Sequence, residues 1–303
     1  MRIVLVGAVE SSLVALEGLM AVQKRPDLVI TLPHAALHRH SDSVDLTSIA
    51  NRNGIQVFHT TDINSPETCE TLMLNPPDLI FVIGWSQLCG KTFRSLARLG
   101  CIGSHPAPLP RMRGRAVIPW TILIDETTSG TTLFWLDDGM DSGDILLQQT
   151  FTVSPDETAK SLYAKHKDAL RSMIPDAVAL IQSGTPPRIK QDDQYATYCA
   201  RRRPEDGLIN WREPAAEIGR FIRAVGAPYP GAFSSSNGEI LYVDAAVPIS
   251  NSHQFVGLPG QVQSHTDRGF IVRCGDSICL EITSWRWRGD KKPLRHAILG
   301  EDN

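Results

Sequence analysis

His105 and the acidic loop Asp137-Asp138-Gly139-Met140-Asp141-Ser142-Gly143-Asp144 carry the side chains that could run proton chemistry near neutral pH. An imidazole titrates at about 6.5, so it can give or take a proton there, and a carboxylate beside it orients the ring and favours the imidazolium. Arg113 and Arg115 flank Gly114 in the same span. Guanidinium groups at such positions either grip an anion as bidentate donors or bond loop carbonyls, and residue type alone leaves both roles open.

These groups need elements to hold them. Leu99 to Ile102 is a short apolar strand pattern that leads directly into His105. Pro106, Pro108 and Pro110 then fix backbone angles and remove amide donors, so the segment after the histidine cannot be helix. Thr131 to Leu136 is β-branched and aromatic and reads as a strand feeding the acidic loop. Two strand ends would each present one titratable group to a common crevice, where open α/β sheets place their ligands.

The run from His105 to Gly114 reads His-Pro-x-x-Leu-Pro-x-x-Arg-Gly, and Asp141-Ser142-Gly143 follows at 141 − 105 = 36 residues. At these residues the chain resembles the formyl-tetrahydrofolate-dependent formyltransferases. The likeness covers nearly the whole chain. Arg201-Arg202-Arg203-Pro204-Glu205-Asp206 and the later Pro228-Tyr229-Pro230-Gly231-Ala232-Phe233 are closest to the branch that acts on sugar nucleotides. The resemblance implies an N-formyltransferase with 10-formyltetrahydrofolate as donor and the amine of a nucleotide-linked deoxyamino sugar as acceptor. It implies His105 and Asp141 as the catalytic pair, and Trp85, Ser86, Gln87 and Leu88, with Gly139 and Asp144, around the folate. Arg113, Arg115, Arg201 and Arg203 are the expected contacts to an anionic substrate. Methionyl-tRNA formylation is the alternative within the same fold.

One departure matters. The family pattern Asn-x-His is Gly103-Ser104-His105 here, so the side chain that would polarise the formyl oxygen is missing. The Ser104 hydroxyl, a backbone amide near Gly103 or a protonated His105 would have to take its place. A non-catalytic folate or nucleotide binder is the reading that this gap leaves open.

The rest of the chain sets the frame. Short apolar runs at Ile3–Val6, Leu28–Leu32, Ile55–Phe58 and Asp78–Ile83 alternate with helical stretches, as a doubly wound sheet requires. The expected fold class is therefore α/β, with a Rossmann-like domain of mostly parallel strands over residues 1–200. A small C-terminal β-rich, OB-like domain is expected over residues 201–303. Only Gly7 stands in the first turn, which lacks the Gly-x-Gly-x-x-Gly fingerprint, so no dinucleotide is expected there. A helix is expected to start at a capping Ser11 or Ser12, and another at Ser154 with Glu157 closing a capping box, kinked or divided at Pro175.

Composition excludes several classes. The chain of 303 residues has 42% hydrophobic and 21% charged residues, as soluble globular proteins do, and no apolar run of membrane-spanning length. Its net charge is −3, and residues 201–303 hold 13 Lys and Arg against 12 Asp and Glu, which offers no general attraction to nucleic acid. Six cysteines without a Cys-x-x-Cys pair suggest reduced thiols in a cytoplasm and no zinc site. His34, His38 and His40 read as a polar, solvent-facing loop rather than a metal cluster. The alternating Trp285-Arg286-Trp287-Arg288 reads as a strand with distinct faces. Oligomeric state stays open, a homo-oligomer included.

Overall fold

The apolar runs at Ile3–Val6, Leu28–Thr31 and Leu79–Val82 become strands buried throughout, which is why they carry almost no polar residues, while Gln56–His59 is an edge strand and stays partly exposed. The computed structural model describes residues 1–39, 41–236, 238–287 and 291–300. It divides into two units. One comprises Met1–Val117, Thr128–Thr152 and Tyr163–Ala200, and the other Ile118–Thr127, Val153–Leu162 and the chain from Arg201 onward.

The first unit begins with β1 (Ile3–Val6), α1 (Glu10–Ala21), β2 (Leu28–Thr31), a short 3-10 helix (His34–Arg39), α2 (Leu46–Arg52), β3 (Gln56–His59), α3 (Pro66–Met73), β4 (Leu79–Val82) and α4 (Lys91–Arg94). It continues with β5 (Gly100–His105), the two-residue β6 (Arg113–Gly114), β7 (Thr128–Trp135), β8 (Ile145–Thr152), α6 (Ala159–Gln182) from Tyr163 onward and β9 (Tyr198–Cys199), whereas α5 (Val117–Leu123) falls, but for Val117, in the second unit. Seven strands form one sheet in the order β3-β2-β1-β4-β5-β7-β8. The sheet is parallel from β3 to β5, and β7 and β8 run antiparallel. The chain leaves β1 in one direction to β2 and later returns on its other side to β4, the switch point beside which such sheets bind ligands.

One face of the sheet packs Ile102, Leu133 and Trp135 with residues of α1, α2 and α6, including Leu16, Ala50 and Ile174. The other packs Val6, Ile30, Val82 and Cys101 with Leu72 of α3 and Phe93 of α4. Helix α1 starts one to two residues before the expected serine caps. The Ser12 hydroxyl reaches back to accept from the Val9 amide at 3.2 Å and donates to the Ile83 carbonyl at 2.6 Å, so it ties the helix start to the end of β4.

Helix α6 also differs from expectation. Ser154 and Glu157 do bond, the Ser154 amide donating to the Glu157 carboxylate at 3.0 Å, but they form a turn ahead of the helix. Thr158 and Ser161 make the reciprocal cap instead, at 3.1 Å and 3.0 Å. The helix runs unbroken through Pro175, with Leu170, Met173 and Ile174 buried before it and Ala177, Val178 and Ile181 after it. Burial on both sides outweighs the backbone bond lost at the proline, a cost of about 3 kcal/mol.

The second unit contains α7 (Ala215–Val225), β10 (Ala232–Ser236), β11 (Glu239–Pro248), β12 (Val262–His265), β13 (Phe270–Arg273) and β14 (Cys279–Arg286). The strands form an antiparallel sheet in the order β10-β11-β14-β13-β12. Trp285 packs edge-on against Phe270, while Arg286 pairs with Asp244 at 2.9 Å and lies over Tyr242, so this motif is absorbed by the sheet; Arg288 lies outside the described residues. Among the described residues no helix is long and apolar enough to cross a membrane.

Candidate active site

His105 is the last residue of β5, at the carboxyl edge of the sheet and only 5% exposed. Its Nε2 lies 2.7 Å from the Met112 carbonyl. A carbonyl oxygen only accepts, so that nitrogen carries a proton. Nδ1 faces Asp141 Oδ2 at 3.6 Å. The ring thus sits between two acceptors.

The loop that delivers Asp141 is tightly closed. The Trp135 amide donates to the Asp144 carbonyl at 2.8 Å, and a Cβ on Gly143 would stand 1.7 Å from the Trp135 carbonyl, so only glycine fits that approach. Asp141 takes a left-handed backbone angle, φ 54°, which aspartate tolerates better than most residues. Its Oδ2 accepts from the Gly114 amide at 2.8 Å. Gly114 itself has φ 106°, and a Cβ there would come within 2.5 Å of the Cys199 carbonyl. The neighbouring carboxylates are engaged elsewhere. Asp137 accepts from the Ser142 hydroxyl at 2.9 Å and from the Gly139 amide at 3.1 Å, and Asp138 pairs with Arg94.

The gap left by Gly103 is not open space. In β5, Gly103 pairs with Phe134 and His105 with Thr132, whereas Ser104 pairs with Leu133. Strand alternation therefore places Gly103 and His105 on one face and Ser104 on the other, beside the core of the α1 and α6 side. This corrects the expectation for Ser104, whose hydroxyl is on the wrong face to meet a group held at His105. On the Gly103 face, a Cβ would stand 2.6 Å from Leu136 Cδ2 and 3.1 Å from the Phe134 ring.

Arg113 is also reassigned. It is 2% exposed, and its guanidinium donates to Gln191 Oε1 at 2.7 Å, to Asp193 at 2.8 Å and to the Tyr198 hydroxyl at 3.2 Å. A group so fully engaged holds the loop together and has no fork left for a substrate. Arg115 is exposed and donates to the Ser86 carbonyl at 2.5 Å, so it ties the span after His105 to the loop after β4. In that loop Gln87 is an anchor: its Oε1 accepts from the Ile63 amide at 2.9 Å and its amide donates to the Thr61 carbonyl at 3.0 Å. Trp85 donates to the same Oε1 at 3.3 Å, and Leu88 is 66% exposed.

Arg201 and Arg203 belong to the second unit and are exposed. Between them, Arg202 stacks over the Trp120 ring at 5.1 Å. His34 and His38 are exposed, His40 lies outside the described residues, and among the described residues no group of three or more potential metal ligands forms.

Gln191 is the residue that motif reasoning missed. It is 6% exposed, and its amide donates to the Asp141 carbonyl at 2.9 Å and the Gly143 carbonyl at 2.7 Å while its oxygen holds Arg113. It lies in the polar stretch before residue 200, where a lone glutamine gives no signal. Thr132 and Gln148 do comparable work on the proline turn. The Thr132 hydroxyl donates to the Ala107 carbonyl at 2.7 Å, and the Gln148 amide donates to the Leu109 carbonyl at 2.9 Å.

Residues 28–178 match the family model described as formyl transferase, and residues 202–297 match the formyl transferase C-terminal domain. A methionyl-tRNA formyltransferase of Syntrophus aciditrophicus is 37% identical over 222 residues, 73% of this chain and 70% of that protein. Another, from Geotalea uraniireducens, is 31% identical over 284 residues, 93% of this chain and 89% of that protein. Among solved structures, an N-formyltransferase of Helicobacter canadensis in complex with folinic acid and dTDP-3-aminofucose aligns with a TM-score of 0.67 at 20% identity, over 93% of this chain and 99% of that one. HypX from Aquifex aeolicus in complex with tetrahydrofolic acid aligns with a TM-score of 0.69 at 19% identity; 99% of this chain is covered, but only 45% of HypX. The two structural likenesses speak for the fold. With both domain models matched in order along it, the chain belongs to the formyltransferase family, the folate-dependent enzymes that transfer formyl groups.

Proposed function

We propose that this enzyme transfers the formyl group of 10-formyltetrahydrofolate to the amine of a nucleotide-linked deoxyamino sugar. The observation that carries the transfer is the pairing of His105 with Asp141 across 3.6 Å at the sheet's carboxyl edge. The donor, when bound, supplies a formyl carbon attached to a nitrogen able to leave. Trp85, Ser86, Leu88, Gly139 and Asp144 are the residues to hold it, and the exposed apolar surface of Leu88 and Met140 suits a flat ring. Gly114 takes up Oδ2 of Asp141, which leaves Oδ1 as the oxygen that accepts a proton from the attacking amine. With Ser104 on the other face and Nε2 of His105 held by the Met112 carbonyl, Nδ1, 3.6 Å from Asp141, is the donor left to stabilise negative charge on the formyl oxygen.

The balance of 30 Lys and Arg against 33 Asp and Glu gives no electrostatic grip on a polyanion, and in the first unit Arg115 remains as an exposed cation for a diphosphate. Formylation of methionyl-tRNA is the second reading, favoured by the sequence relatives, which are methionyl-tRNA formyltransferases. The test is a formylation assay with 10-formyltetrahydrofolate and, as acceptors, thymidine or uridine diphosphate amino sugars and initiator methionyl-tRNA. Turnover of an amino sugar, lost in His105→Ala, is the expected result. Turnover of the tRNA alone would replace the acceptor, and folate binding with no turnover on any amine would make the protein a binder.

A further inference from the structure

A cavity of about 350 Å³ opens in the first unit at the carboxyl ends of β2 and β3, and none of its lining residues belongs to the His105 and Asp141 site. That volume is in the range of small-molecule pockets, and the carboxyl ends of parallel strands are where α/β sheets take ligands. Leu32, Pro33, Leu37 and Leu46 make its walls apolar. Thr31, the last residue of β2, lines it while only 1% exposed, and the exposed His34, Asp45 and His59 stand at its mouth.

Among the described residues the Thr31 hydroxyl has no hydrogen-bond partner. Buried hydroxyls are ordinarily bonded, so an unpaired one in a cavity wall points to a group that arrives from outside. Two of the polar side chains at the mouth are already fixed. Thr47 Oγ1 lies 2.9 Å from His59 Nε2, which sets the ring. Asp45 caps α2, accepting from the Ser48 amide at 3.2 Å and the Ser48 hydroxyl at 2.5 Å. Those bonds, the hydroxyl first, hold its carboxyl below the usual range, so it is an ionised acceptor with lone pairs to spare.

The lining also says what does not bind. Among the described residues it includes no lysine or arginine, so a phosphate would meet the Asp45 carboxylate with only the imidazoles of His34 and His59 beside it. The described residues form no metal cluster. What fits is flat, uncharged and rich in hydroxyls. We propose that this cavity binds an uncharged nucleoside, its base between the apolar walls, its sugar hydroxyls donating to Asp45, and Thr31 bonded to a polar edge of the ligand. Carboxylates take ribose hydroxyls in the same way beside the strands of other doubly wound sheets.

The test titrates the full-length protein with adenosine, guanosine, cytidine and uridine, and separately with adenosine monophosphate, by calorimetry and by the ring signals of His34 and His59 in NMR spectra. The expected result is saturable binding of a nucleoside with Kd on the order of 0.1–1 mM, with both histidine signals shifting. Thr31→Val keeps the shape and Asp45→Asn keeps a helix cap, and each is expected to weaken binding about tenfold, the cost of one lost bond, with the thermal midpoint held. Nucleotide binding is expected to be weaker than nucleoside binding. No saturable binding of any of the four nucleosides up to about 5 mM would overturn the proposal. So would binding that both variants leave intact, or a monophosphate that binds more tightly than its nucleoside.

Discussion

Replacing Gly103 with Asn tests whether the face that carries His105 has room for a side chain where the family has one. The structure argues against free space. The new Cβ would lie 2.6 Å from Leu136 Cδ2 and 3.1 Å from two atoms of the Phe134 ring. Leu136 is half-buried and its methyl can swing aside, whereas Phe134 is 3% exposed and held in the sheet. Overpacking of this kind costs about 1–3 kcal/mol, and the mobility of Leu136 puts the expected cost near about 2 kcal/mol. For a unit of this size that lowers the melting temperature by roughly 6 °C. Leu136→Ala opens the space, so the double variant is expected to lose less stability than the sum of the single changes, with a coupling of about 1 kcal/mol. Differential scanning calorimetry measures the stabilities, and the formylation assay shows whether the amide then helps. A faster rate is expected only in the double variant. A Gly103→Asn protein that melts within a degree or so of wild type, or strict additivity of the pair, would refute the packing argument.

Asp141→Asn keeps the size of the side chain and removes the charge facing His105, so formyl transfer is expected to fall by about 10²–10⁴ in steady-state kinetics while folding is retained. Gln191→Ala strips the donors from the Asp141 and Gly143 carbonyls and leaves Arg113 short of a buried partner; about 3 kcal/mol of stability and at least tenfold in kcat are expected to go, read by denaturant melts and kinetics. Burial pushes the Cys89 thiol up to about 12, with Cys101 raised for the same reason, so both are expected to resist iodoacetamide at pH 7.5 in the folded protein. Their folded values lie above the unfolded value of about 9, so the folded state retains protons that the unfolded state releases. That stability is complete below about pH 9 and is expected to be lost as pH rises toward about 12, seen as a falling urea midpoint above about pH 9. A flat midpoint across that range would count against the burial of these thiols.

Much of the site was legible because its signals are local. The apolar runs that became β1 to β5 needed only their composition, and the prolines after His105 could end a strand in no other way. The face of Ser104 was legible too, since neighbours in a strand point to opposite sides, although residue type alone made its hydroxyl attractive. The antiparallel hairpin of β7 and β8 follows from the short loop that joins them, because a parallel pair needs a long crossover. The role of Arg113 was not legible: its partner Gln191 lies 78 residues away and belongs to no motif. Nor was the grouping of Ile118–Thr127 and Val153–Leu162 with the second unit. By itself, then, the sequence determined the alternating α/β frame and the histidine and aspartate that end two of its loops or strands, because spacing and backbone stiffness act over a few residues. Only the tertiary structure decided which arginine is spoken for and what fills the space over Gly103, because those depend on contacts between segments that the chain brings together from far apart.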